Sequence, residues 1–147
     1  MSKLTAMELL EAKTKIEYNY GDLGDGVTYN ATVVEVDERD SKFGGTYYKI
    51  VFEVSDGNHA PSHASKLVTY MHKNGAIDKG YVEFAKLFFD FSNEKTIVDL
   101  NRIIDKKCKI KTKKAQSKDG RIYYQADEVI QVSEERLISG DDFPGAN

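Results

Sequence analysis

Cysteine is almost missing from this chain of 147 residues: Cys108 stands alone, which excludes an internal disulfide and leaves the fold to packing. No apolar run approaches the roughly 20 residues that cross a bilayer as a helix. The first residues, MSKLTAMELLEAKTKIEY, are interrupted by Glu8, Glu11, Lys13 and Lys15 and lack the apolar core of a signal peptide, so a cytosolic setting is expected. The phosphate loop G-x-x-x-x-G-K-[ST], the G-x-S-x-G elbow and the H-x-E with P-C-x-x-C deaminase pattern are absent as well. Histidine is scarce. His59 and His63 have the i, i+4 spacing that binds zinc from a helix, but Pro61 lies between them, and neither they nor His72 gain the cysteines or acids that would complete four ligands. No metal, cofactor or catalytic group is expected, and no internal repeat of 20 to 50 residues points to a solenoid or propeller.

What is present is globular. The hydrophobic content is 40%, with nine tyrosines and seven phenylalanines, and a chain of this size buries about 70% of its unfolded surface as one domain. The net charge of −3 hides a division along the chain. Residues 134–147 carry all of it, because Glu134, Glu135, Asp141 and Asp142 outweigh Arg136 there, and residues 1–133 are neutral. From Lys106 to Arg121, eight basic residues face one acid, Asp119. A polyanionic partner responds to that local field and not to the sum.

The centre of the basic stretch reads KKCKIKTKK. Alternation by two would scatter around a helix, whereas a strand places Lys107, Lys109, Lys111 and Lys113 on one face and Cys108, Ile110 and Thr112 on the other. The segment is therefore expected to be a half-buried strand with a cationic outer face, which either protects an exposed strand from aggregation or meets a polyanion.

Around it the predicted elements fall in a definite order. Thr5 and Glu8 form a capping box for a short helix to about Lys15. VTYNATVVEVDE and TYYKIVFEVSDG are strands joined by RDSKFGG, and KLVTYMHK is a third strand after the polar loop NHAPSHAS. Phe84, Leu87, Phe88 and Phe91 predict a helix over 81–91, and Thr96 with Asp99 caps a second short one. The lysine strand and RIYYQADEVIQV follow, joined through Asp119-Gly120, a strong hairpin signal. Three strands, a helix and two strands form the element sequence of a mainly β, five-stranded OB-fold barrel. The expected division is an amino-terminal helical extension over 1–25, the barrel over 26–133 and a flexible acidic tail over 134–147.

An OB fold binds oligonucleotides on its second and third strands, between the loops that join strands one to two and four to five. Those loops carry aromatics interleaved with cations, the chemistry that holds single-stranded nucleic acid by stacking and backbone charge. The first region offers Arg39, Lys42, Phe43 and Tyr47, with Lys49 beside them. The second offers Lys109, Lys111, Lys113, Lys114, Lys118, Arg121 and Tyr123, and the third strand adds Lys66 and Tyr70. Tyr48 and Phe52 are expected to face the interior, and of Tyr123 and Tyr124 only one can face outward.

With GGTYYKIVFEVSDG, KKCKIKTKKAQSKDGRIYY and an acidic end, residues 26–147 are similar to bacteriophage single-stranded DNA-binding proteins. The resemblance implies a non-enzymatic protein that coats and protects single-stranded DNA in replication or recombination, in the host cytoplasm. It also implies recruitment of replication or recombination proteins through Asp141, Asp142, Phe143 and Pro144. In this sequence those residues are followed by Gly-Ala-Asn, so the aromatic does not adjoin the terminal carboxylate. An OB-type protein adaptor and an RNA-binding domain remain the alternatives, and the amino-terminal helix or an edge strand is a candidate contact for self-association.

Overall fold

The structure, a computed structural model, describes residues 5–6, 18–54, 61–131 and 136–140. The strands are β1 (Thr28–Asp40), β2 (Thr46–Val54), β3 (Ser62–Met71), β4 (Lys107–Gln116) and β5 (Ile122–Gln131). An α-helix, α1 (Lys79–Lys86), and a 3-10 turn (Leu100–Ile103) lie between β3 and β4. The strands close into a barrel in the order β1-β2-β3-β5-β4, as expected of a mainly β chain with five strands. All neighbours pair antiparallel except β3 and β5, which meet in parallel at one pair, Ser65 with Gln125.

Side-chain alternation fills the barrel. Val33, Ile50, Phe52, Ile110 and Cys108 turn inward and are at most 1% exposed, so the interior is packed with side chains and holds no channel, as small barrels do. Leu100, Ile103 and Phe89 join this core from the β3–β4 connection. Thr112 is the one polar side chain of β4 that turns inward. Its hydroxyl donates to the Gly24 carbonyl and accepts from the Val27 N–H, and the Gly26 N–H bonds the Thr112 carbonyl, which ties the turn before β1 to β4.

Three boundaries differ from the sequence expectation. β3 starts at Ser62, inside the stretch expected to be a polar loop, because the Val54 to Ser62 end pairs with β2 and Ala64 is fully buried; pairing outweighs the weak strand propensity of Ser and Ala. α1 ends at Lys86 where a helix to Phe91 was expected. The chain leaves the helix because Phe88 and Asp90 bond the backbone of Ile138, leaving Phe91 45% exposed. The following turn is 3-10 and is capped by Asp99, whose carboxylate accepts from the Asn101 N–H, while Thr96 accepts from the Gly140 N–H instead. The expected amino-terminal helix, Thr5 and Ala6 apart, lies outside the described residues.

The segment expected to be mobile from residue 134 is anchored over its described part. Ile138 packs against the core and bridges Phe89, and the buried Arg102 guanidinium donates to the carbonyls of Ile97 and Gly140 at 2.8 and 2.9 Å. An arginine this deep requires acceptors, and Gly140 supplies one of them. Asp141, Asp142, Phe143 and Pro144 lie outside the described residues.

Candidate nucleic-acid interface

β4 keeps the predicted alternation from Lys107 to Lys113: Lys107, Lys109, Lys111 and Lys113 are exposed, and Cys108, Ile110 and Thr112 are buried. Across from this face, β1 presents Thr28, Asn30 and Thr32, and β5 presents Gln125, Glu128 and Ile130. None of the ion pairs among the described residues involves the four lysines. Toward the hairpin, Tyr123 lies opposite Ala115 and is half-buried, whereas Tyr124 turns inward at 9% exposure. The expectation that only one of the pair faces outward thus resolves in favour of Tyr123. Lys114 is exposed, and its backbone N–H is fixed by Asp25 at 2.8 Å. Lys118 lies within the turn and Arg121 follows it; the turn closes through the Gly120 N–H to the Ser117 carbonyl, with Gly120 at φ 89°.

The outward faces of β1, β2 and β3 form a different surface. Arg39 sits opposite Tyr47, Asp37 opposite Lys49 and Glu35 opposite Val51. Arg39 binds Asp37 at 2.7 Å, and that hydrogen bond above all holds its guanidinium pKa above the usual value. At the hairpin tip Phe43 is 81% exposed with the Lys42 ammonium 5.3 Å from its ring. The tip lies tight against the end of β3: a Cβ on Gly45 would stand 2.2 Å from the Met71 carbonyl oxygen. Between tip and strand runs a groove of about 310 Å³ lined by Ser41, Thr46, Tyr47, Leu67, Thr69, Met71 and their neighbours.

Two expected site residues do not reach this surface. Tyr70 shares the inward side with Val68, where its ring meets Tyr48 and Tyr81 at centroid distances of 5.4 and 4.5 Å. Lys66 shares that side and spans the gap between β3 and β5, its ammonium 3.4 Å from the Asp127 carbonyl. The sequence placed Lys66, Val68 and Tyr70 on one face correctly, but that face is the barrel side, and the outward residues of β3 are Leu67 and Thr69. Leu67, 60% exposed, carried no signal beyond its parity with Thr69.

Tyr18 and Tyr20 were missed. The Asn19 backbone exchanges bonds with His63: its carbonyl accepts from the His63 N–H at 2.7 Å and its N–H donates to His63 Nδ1 at 3.0 Å. The Tyr124 N–H donates to the Tyr20 carbonyl, so Tyr18–Gly21 wedges between the starts of β3 and β5. The two rings lie on the β1–β3 face. The Tyr18 ring lies 4.8 Å from that of His63 at a tilt of 55°, and the Lys49 ammonium lies 5.3 Å from the Tyr20 ring centre. Val51, on the outward side of β2, is fully buried. Burial first, then Glu35, pushes the Tyr20 phenol up to about 12. The two-residue spacing of Tyr18 and Tyr20, the second of which opens YGDLGDG, was the signal available.

His72 binds Asp78, and His63 faces Glu53 at 3.3 Å. Among the described residues no three His, Cys, Asp or Glu side chains gather as metal ligands, and no helix is long and apolar enough to cross a membrane; His59 lies outside them. No protein-family profile, curated protein or solved structure matches the chain.

Proposed function

We propose that the protein binds single-stranded DNA without catalysis and with little sequence preference, coating and protecting it during replication or recombination. The observation that carries the reading is the β4 face, where four lysines stand outward with one carboxylate, Glu128, across from them. Four lysines that enter no ion pair among the described residues, with Tyr123 toward the hairpin end of their strand, suit a phosphate backbone and unpaired bases. The barrel order and the helix between β3 and β4 support an OB fold. The choice of DNA over RNA comes from the resemblance to phage proteins, as do the setting in a bacterial cytoplasm and the recruitment of partners through Asp141 to Pro144.

The groove of Tyr47, Leu67, Thr69 and Met71 favours a second reading, an adaptor that docks protein there while the lysines only keep the strand in water. Fluorescence anisotropy with labelled single-stranded DNA, duplex DNA and RNA over a salt series separates the two. The expected result is preference for single-stranded DNA, a site of about 4–16 nucleotides and weakening with salt. Absence of binding at low salt would refute the nucleic-acid reading.

A further inference from the structure

Closure of five strands turns each one about 72° from its neighbour, so β4 stands two steps from β2 through β1 and two steps from β3 through β5, about 144° either way. The lysine face therefore points away from the surface that carries Tyr47, Leu67 and the groove. An OB barrel that used only its second and third strands would leave these lysines on its back.

The two surfaces also differ in charge. On β1 and β2 the outward carboxylates of Glu35, Asp37 and Glu53 outnumber the cations Arg39 and Lys49, and Arg39 is already paired. A phosphate backbone laid across that face meets repulsion as well as attraction. On β4 the paired neighbours are hydroxyls, the amides of Asn30 and Gln125, Ile130 and the carboxylate of Glu128, with the exposed Asp127 at the register shift of β5.

Spacing gives the third argument. Alternate residues of a strand are about 6.7 Å apart, comparable with the separation of successive phosphates along one nucleic-acid strand. The lysines at 107, 109, 111 and 113 repeat at that interval along β4, whose backbone is laddered to β1 from Lys107 to Lys111 and to β5 from Cys108 to Gln116, with a register shift between Lys111 and Thr112. Lysine reads such phosphates as point charges without regard to base.

We propose that the outward face of β4 is the phosphate-binding rail of this protein, one strand lying along it with successive phosphates on Lys107, Lys109, Lys111 and Lys113, while the β2–β3 surface takes no phosphate. The proposal rests on the nucleic-acid reading above. On it, Tyr123 is the aromatic at the hairpin end of the rail, and Arg39 and Lys49 serve the local packing of Asp37 and Tyr20.

The test is the salt dependence of binding to a labelled oligothymidylate by three forms of the full chain: wild type, Lys109→Gln with Lys111→Gln, and Lys42→Gln with Lys49→Gln. Removing two phosphate contacts should flatten the slope of log K against log salt by about 1.4 and weaken binding most at low salt. The Lys42/Lys49 variant should keep the wild-type slope. An unchanged slope in the β4 variant, or a flattened one in the Lys42/Lys49 variant, overturns the rail while leaving nucleic-acid binding in place. If wild type fails to bind the oligomer at the lowest salt, the functional reading itself falls.

Discussion

Tyr20 shows how one side chain links the amino-terminal segment to the barrel. Its ring lies against Lys49, its carbonyl accepts from Tyr124, and its hydroxyl is buried with no hydrogen-bond partner among the described residues. A buried hydroxyl without a partner costs more than it contributes. Tyr20→Phe is therefore expected to leave stability unchanged or raise it by up to about 1 kcal/mol, whereas Tyr20→Ala should lower it by about 2–3 kcal/mol through lost packing over β2. Urea denaturation followed by circular dichroism checks both; a loss in Tyr20→Phe as large as in Tyr20→Ala would show that the hydroxyl is partnered after all.

At the scale of elements, the segment after β5 is the clearest case. Its described part docks on the chain between α1 and the 3-10 turn, where the backbone of Ile138 bonds Phe88 and Asp90 and Gly140 caps Arg102. A chain ending at Gly140 retains this docking. One ending at Glu135 should lose on the order of 3 kcal/mol, because a buried guanidinium and several backbone groups lose acceptors and Ile138 leaves the core. Equal midpoints for the two truncations would mean that the docking adds nothing. This pairing was not legible in the sequence, since EERLISG has neither strand length nor alternation and its partners lie some fifty residues earlier. The same holds for the start of β3, where Ser62 to Ser65 read as loop until β2 supplies a ladder, and for Tyr70, whose parity was right and whose side was not. β4 was legible residue by residue from Lys107 to Lys113 because its alternation there is local. Its place opposite β2 and β3 was not, because that depends on how the barrel closes.

For the whole molecule, alkaline pH gives a test of packing that requires no ligand. Burial first, then the nearby Glu38, Tyr70 and Asp99 for Tyr48 and the nearby Tyr48, Tyr70, Asp99 and Glu38 for Tyr81, push both phenols up to about 12, as burial does for Tyr20. The unfolded chain ionises these groups near 10, so above that pH it has released protons that the folded chain still holds. Stability should be level below about pH 10, fall between about 10 and 12, and level again once the folded state ionises. Denaturation midpoints taken alongside phenolate absorbance would show it, and a midpoint that stays constant to pH 12 would place these rings in water. The closure itself is uneven. Four joins are long antiparallel ladders, and the fifth is the Ser65 to Gln125 bridge, reinforced by Tyr18–Gly21 and the reach of Lys66 to Asp127. The molecule is thus a rolled sheet with a short clasp. Releasing the clasp would let β1-β2-β3 swing away from β4-β5 like the leaves of a hinge whose pin is the β1–β4 ladder, without breaking any antiparallel ladder, so thermal opening should begin along that line.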